Sequence, residues 1–416
     1  MVLAQREPQI EMVHHVHWDP MWYSSYQEYR IRLYRLMKKL LNILETNPDY
    51  GQFMFDGQVS AIEDYLEIGP EDEEKIRRFI RDGKLAVGPW YIQPEEFLIS
   101  GESLIRNLQL GIRRAEETGG AMQVSYLCDP VGHIAQLPQI LQGFGLRYFC
   151  AGRGIHDGEK IKSSEFVWES LDGSEVLAQS MPIGYSHPLP LAQDDFERDL
   201  EQKAAEIASY NLTGTLLFTQ GCDHGEPMEE ILPLAAEHNR RAGWDHIVFT
   251  TLLSHMKGVE EYRESLPYFR GELRHSRNMP MLTGILSTRM DIKLENAAVQ
   301  TGLERWLEPF STFHSVLGGK YPAPFIDLAW SYQIRNSFHD CIYGAHADHV
   351  TPDVMHGYKQ AREIIDWKTN EALYGIASKA GDAARMRLVL FNPSGRDRIN
   401  EAVDCEWFFP GDMAPG

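Results

Sequence analysis

Apolar positions along this chain follow two periods. From the start to about residue 255, short runs of apolar and β-branched residues alternate with longer segments of helical period, the pattern of a parallel sheet joined by crossover helices. Strands are expected at 10–14, 52–55, 84–88, 124–128, 214–219 and 246–250, each ending near polar or charged residues. Ligand sites in such folds lie beyond those carboxyl ends. Between the first two strands, Tyr29, Leu33, Leu36, Met37, Leu40, Leu41 and Leu44 form one wide apolar stripe that predicts a helix closed by Asn47-Pro48. A second helix is expected from Pro70 and its acidic first turn to Asp82, with Gly83 as its stop. After about residue 290 the strand signal gives way to three long helical patterns, 291–317, 325–338 and 350–380, and then to an apolar run at 386–391 followed by Asn-Pro-Ser-Gly.

This pattern divides the chain into an α/β domain over 1–265, a three-helix bundle over 266–384 that includes a linking segment 266–290, and the first strand of a further domain over 385–416, where the chain breaks off. At 416 residues and 43% hydrophobic content, several cores are expected. Forty Lys+Arg against sixty Asp+Glu give a net charge of -20, which argues against nucleic acid or an anionic membrane as partner. The N-terminus lacks the marks of a secretion signal and no stretch has the length of a membrane span, so a cytoplasmic protein is expected, and the sequon at Asn211 is set aside. Cys128, Cys150, Cys222, Cys341 and Cys405 form no C-x-x-C pair and read as reduced thiols. Homo-oligomerisation is left open.

Three clusters carry candidate chemistry. In His15-Val-His-Trp-Asp19, beyond the first strand, alternate side chains point the same way, so His17 and Asp19 can reach one divalent ion; the competing reading is histidines that cap a strand. Asp129, in Tyr126-Leu-Cys-Asp-Pro-Val-Gly-His133, stands at a strand's carboxyl end, where it suits catalysis and equally a helix N-cap ahead of Pro130. His339 and Asp340, in Asn336-Ser-Phe-His-Asp-Cys-Ile-Tyr-Gly344, interrupt an apolar helix end, and such a pair taken alone is more often a satisfied core group.

Taken in order, HVHWDPMW, GKLAVGPWYIQPEE, YLCDPVGHIAQLPQIL, GILSTRMDIK and NSFHDCIYG resemble the α-mannosidases of glycoside hydrolase family 38, and GKLAVGPWY ahead of the ESLIRNL run resembles its bacterial mannosylglycerate-hydrolase branch. The resemblance implies a seven-stranded β/α barrel-like N-terminal domain, a three-helix bundle and a C-terminal β-sandwich that is truncated here. It implies a retaining hydrolase of α-mannosides that uses one divalent metal, Zn2+ by preference, held by His17, Asp19, Asp129 and His339. Asp129 would also be the nucleophile and Asp340 a ligand of sugar hydroxyls. Trp22 would be the floor under the mannose ring and Arg289 an arginine near the site, with Trp90 and Tyr91 either further substrate contacts or core packing.

The acid/base aspartate of the Golgi-type enzymes has no counterpart near Arg277-Asn-Met-Pro280. Asp223, in Thr219-Gln-Gly-Cys-Asp-His-Gly-Glu226, is the expected substitute because it follows a predicted strand, with His224 and Glu226 behind it. Two alternatives stand beside this reading: a metal-dependent deacetylase or amidohydrolase, which forms no glycosyl ester, and an inactive carbohydrate-binding fragment.

Overall fold

The computed structural model describes residues 8–155 and 160–379, together with 396, 397 and 399. The strand expected at 386–391, and with it the start of a β-sandwich, lies outside the described residues. Ten strands are formed among them: β1 (Gln9–Val16), β2 (Phe53–Phe55), β3 (Leu85–Ala86), β4 (Val124–Leu127), β5 (Tyr148–Ala151), β6 (Glu165–Glu169), β7 (Glu175–Ser180), β8 (Thr215–Gln220), β9 (Ile247–Phe249) and β10 (Tyr268–Arg270). All six strands read from the pattern are present, with ends shifted by a few residues. The pattern did not show β5, β6, β7 or β10. In β6 the period is disguised because Glu165 is fully buried, its carboxylate accepting from the Leu212 N–H and the Asn211 amide.

Among the described residues the strands pair as two five-stranded sheets, where one seven-stranded barrel-like sheet was expected. The first is wholly parallel in the order β3-β2-β1-β8, with β9 along the N-terminal half of β1. The second runs β10-β6-β7-β5-β4 and is parallel except where β6 folds back on β7. That hairpin turns at Asp172-Gly173, with the Ser174 N–H donating to the Asp172 carboxylate, and it places β6 and β10 on the outer edge.

Parallel pairing places the functional strand ends together. His14 lies opposite Phe53 of β2 and opposite Gln220 of β8. The β1–β8 register continues past both strands, so that His17 pairs with Asp223 in an isolated bridge. A side chain at 221 would obstruct this approach, since a Cβ on Gly221 would lie 2.0 Å from the His15 carbonyl oxygen.

The striped helix is Tyr26–Thr46, and every residue of the stripe is buried. Beyond the sheets, Met290–Thr301 continues through a wide turn at Gly302–Leu307 into Glu308–Val316, and Ala323–Asn336 and Thr351–Ser378 pack against them. Gly302 admits the neighbouring helix: a Cβ there would meet Ile365 Cγ2 at 2.8 Å. One apolar core joins Leu36, Phe55 and Ile80 to Ile292, Ile334 and Val354, so packing is continuous across residues 265 and 266. None of the helices among the described residues is long and apolar enough to cross a membrane.

Candidate active site

Four strand or helix ends meet around His17 and Asp19. β1 delivers both residues, β2 delivers Asp56, β4 delivers Asp129, and the helix His339–Tyr343 delivers His339 and Asp340. His17 is buried, with Nδ1 2.9 Å from Asp56 Oδ2 and Nε2 2.9 Å from Asp19 Oδ1. His339 Nε2 lies 3.0 Å from Asp129 Oδ2 and 3.6 Å from Asp19 Oδ1. Asp129 Oδ2 is 4.0 Å from His17 Nε2, and Asp340 Oδ2 is 4.0 Å from His339 Nε2.

These separations bring the atoms together without satisfying them. His17 Nε2, Asp19 Oδ1 and His339 Nε2 are buried and lack a hydrogen bond of acceptable direction. Buried polar atoms left without partners cost about 1–3 kcal/mol each, so several aimed at one point call for a shared ligand. Ligands about 2.0–2.1 Å from a tetrahedral ion stand roughly 3.3 Å apart, and the spacings here bracket that value. The donor set of two imidazoles and two carboxylates suits zinc or a similar divalent ion. Each imidazole is also oriented from behind, His17 by Asp56 on Nδ1 and His339 by the Gln93 carbonyl 3.4 Å from Nδ1, as metal-bound histidines are. The residues therefore fit one divalent cation.

Electrostatics point the same way. Burial disfavours a charged His17, yet Asp19 and Asp56 hold its pKa well above the ordinary imidazole value. Burial likewise opposes His339, but Asp340, Asp129 and Asp19 raise it to about 9. The cluster attracts positive charge, which protons supply when no metal does. Asp129 behaves oppositely: burial would raise its pKa, but His339, Arg153 and His17 hold it well below the carboxylate range. Its Oδ1 accepts from Arg153 Nε at 2.7 Å and from the Tyr185 hydroxyl at 2.7 Å, so the carboxyl is ionised and fixed in orientation. Asp223 is pushed upward by burial and by Asp19 and Asp129, against the pull of His17, and its Oδ1 is unpartnered.

The other expected site residues fall at varied distances from this cluster. Trp22 is partly buried at its rim, its ring parallel to His224 at 6.5 Å, and His224 Nε2 contacts Asp19 Oδ2 at 3.0 Å. Glu226 points to solvent and pairs with Lys39, which removes it as an acid. Trp90 is fully buried and donates to Ser125 Oγ, so it is a core residue. Tyr91 donates to Glu63 and lines a cavity with it, Pro20 and Met21, away from the His17 cluster's own residues. Arg289 turns outward to Asp348 and Thr351. Sequence reasoning missed Asp56, Gln93, Arg153 and Tyr185. Asp56 carried a legible signal, an acid closing a buried Phe-Met-Phe strand just as Asp129 closes β4. Arg153 had none, because its approach depends on Gly152, where a Cβ would lie 2.2 Å from the Cys128 carbonyl.

An α/β fold that gathers histidines and carboxylates at parallel strand ends defines the class, a hydrolase-type site with candidate metal-ligand groups. Residues 7–272 match the family model "Glycosyl hydrolases family 38 N-terminal domain", and the chain belongs to that family. It is 32% identical over 357 residues to a protein of Halalkalibacterium halodurans provisionally named a mannosylglycerate hydrolase, covering 82% of this chain and 39% of that one. It is 25% identical over 362 residues to human alpha-mannosidase 2C1, covering 84% of this chain and 33% of that one. The crystal structure of an alpha-mannosidase from Enterococcus faecalis V583 superposes with a TM-score of 0.85 at 29% identity, covering 89% of this chain and 43% of that one. The chain thus spans about two fifths or less of the length of these relatives.

Proposed function

We propose that this chain carries the catalytic portion of a retaining, divalent-metal-dependent α-mannosidase that hydrolyses terminal α-mannosides of an oligosaccharide or mannosylglycerate-like kind. The observation that supports it best is the convergence of unsatisfied buried His17, Asp19 and His339 atoms on an ionised Asp129 held by Arg153 and Tyr185. His17, Asp19, Asp129 and His339 would hold the ion, most suitably Zn2+. Once bound, the ion would neutralise the carboxylates and bind vicinal sugar hydroxyls. Trp22 offers a face for the sugar ring and Asp340 a hydroxyl partner.

Asp129 then attacks the anomeric carbon to form a glycosyl ester while Asp223 gives its proton to the departing oxygen. Asp223 next takes a proton from the water that cleaves the ester, restoring both groups. The raised pKa of Asp223 suits the first role and the depressed pKa of Asp129 the nucleophile. The test is hydrolysis of an activated aryl α-mannoside by metal-loaded protein and by Asp129→Ala, each with and without chelator. Loss of turnover by about 10³-fold or more on either change is expected. Chelator-resistant turnover would remove the metal from the mechanism, and an active Asp129→Ala would remove the nucleophile.

A further inference from the structure

Residues 93–96 form a short strap, Gln-Pro-Glu-Glu, that touches the β2, β4 and His339 arms of the cluster without entering it. The Gln93 amide donates to Asp56 Oδ1 at 2.8 Å, its Oε1 accepts the Cys128 N–H at 3.2 Å, and its carbonyl accepts the His339 N–H at 3.1 Å. Pro94 forms an antiparallel bridge with Phe338, immediately before His339. Glu95 is fully buried: its Oε2 accepts the Val131 N–H at 3.2 Å and the Tyr343 hydroxyl, which itself accepts the Val131 N–H at 2.7 Å, so the three groups form one network, while the Glu95 N–H donates to the Ser337 carbonyl at 3.2 Å. Glu96, also buried, lies 2.7 Å from His133 Nδ1 and accepts the Ile134 N–H at 2.8 Å.

The loop that follows Asp129 is therefore pinned at Val131, His133 and Ile134 by two adjacent carboxylates, and one of these also grips the last residue of the His339 helix. A buried carboxylate is costly, and placing two side by side is justified energetically only where several donors converge on them. Ordinary core packing would hold these segments with apolar groups. What the carboxylates add is direction, since a hydrogen bond fixes an atom's position more narrowly than an apolar contact.

We infer that Glu95 is a positioning residue: by bridging the Val131 N–H and the Tyr343 hydroxyl it sets the separation of Asp129 from His339, and so the affinity of the site for its divalent ion. Glu95 stands behind the ligand cluster and acts on it through those two groups, while its Oε1 accepts the Phe97 N–H at 3.2 Å within its own strap. The inference rests on the metal-site reading proposed above, and its test does not depend on a mannoside being cleaved.

The experiment measures zinc affinity of the full chain by competition with a chromophoric chelator for wild type, Glu95→Gln, Tyr343→Phe and the double variant. Melting curves of the metal-free proteins run alongside. Each single variant is expected to weaken zinc binding by about 10- to 100-fold, as loss of an orienting partner does. The double variant should weaken it by much less than the product of the singles, because both remove one bridge. Where turnover is measurable, kcat should fall more than KM changes. Should Glu95→Gln not fold, Glu95→Asp, which keeps the carboxylate but draws it back from Val131 and Tyr343, carries the test in its place. Wild-type zinc affinity in a folded single variant, or full multiplicativity in the double, overturns the inference. A wild type that binds zinc but cleaves no mannoside leaves it standing and overturns the functional proposal instead.

Discussion

Two charge-rich regions of the molecule differ in what their charges do. On one side Asp64 accepts from Arg335 Nη1 at 2.7 Å and from the Tyr26 hydroxyl at 2.8 Å, while Glu63 accepts from the Tyr91 hydroxyl at 2.7 Å. On the other side His17, Asp19 and His339 present atoms that no group among the described residues satisfies. A cavity of about 650 Å³ opens over the first region, lined by Tyr26, Glu63, Tyr91 and Arg335. Neither cavity size nor charge density separates a working site from a structural one here. Convergence of unsatisfied atoms does: His17, Asp19 and His339 aim theirs at one another, whereas in the first region Arg114 Nε lacks an acceptable hydrogen bond but faces Glu63 Oε1 at 3.0 Å, and a folded chain tolerates converging costs where a ligand can repay them.

The contrast is broken most directly by removing one acid from each side. Asp64→Ala takes from the Arg335 guanidinium its nearer acid, leaving Glu63 Oε2 at 3.5 Å, where burial opposes the charge and Asp64 is its main support. Breaking such a pair should cost about 3 kcal/mol of folding stability, read by denaturant titration. Asp19→Ala should leave metal-free stability within about 1 kcal/mol of wild type, since it also relieves crowding with other acids. Equal destabilisation by the two would erase the distinction between the regions.

A smaller effect sharpens the boundary of the site. Asp56 is fully buried and accepts from the Trp18 N–H at 2.9 Å and the Gln58 amide at 2.7 Å in addition to facing His17. Asp56→Asn keeps its shape but weakens the orientation of His17, and should reduce metal affinity by about 10- to 100-fold in a chelator competition. Unchanged affinity would make Asp56 part of the structural side.

The smallest effect is in pH. Burial raises the pKa of Glu95 to about 7, with Glu96 adding to it and the Tyr343 hydroxyl opposing it. A folded pKa above the unfolded value means the native state holds the proton more tightly, so this contribution is full below about pH 4.3 and is lost as pH rises through about 7. In melting curves the deficit of Glu95→Gln relative to wild type should therefore shrink between pH 5 and pH 8. A gap that is constant or widens over that range would contradict the sign.

How much was legible beforehand follows from distance along the chain. His17 and Asp19 share a strand end, Asp129 closes a buried strand and His339 interrupts an apolar helix, so each announced itself within a few residues. The register that pairs His17 with Asp223 could also be anticipated, since both follow strands of one parallel sheet. Trp90, Tyr91, Arg289 and Glu226 were read from local motifs, yet each has its partner elsewhere, in Ser125, Glu63, Asp348 and Lys39.

By itself, then, the amino-acid sequence determined six of the ten strands among the described residues, the striped helix and the residue types able to hold a cation, because periodicity and strand-end chemistry are local properties of the chain. Tertiary structure alone decided that the strands divide into two sheets, that Arg153 and Tyr185 hold Asp129, and that residues 93–96 brace the cluster. Those outcomes depend on which backbone hydrogen bonds and buried charges find partners across tens to hundreds of residues, and that is settled only when the chain packs.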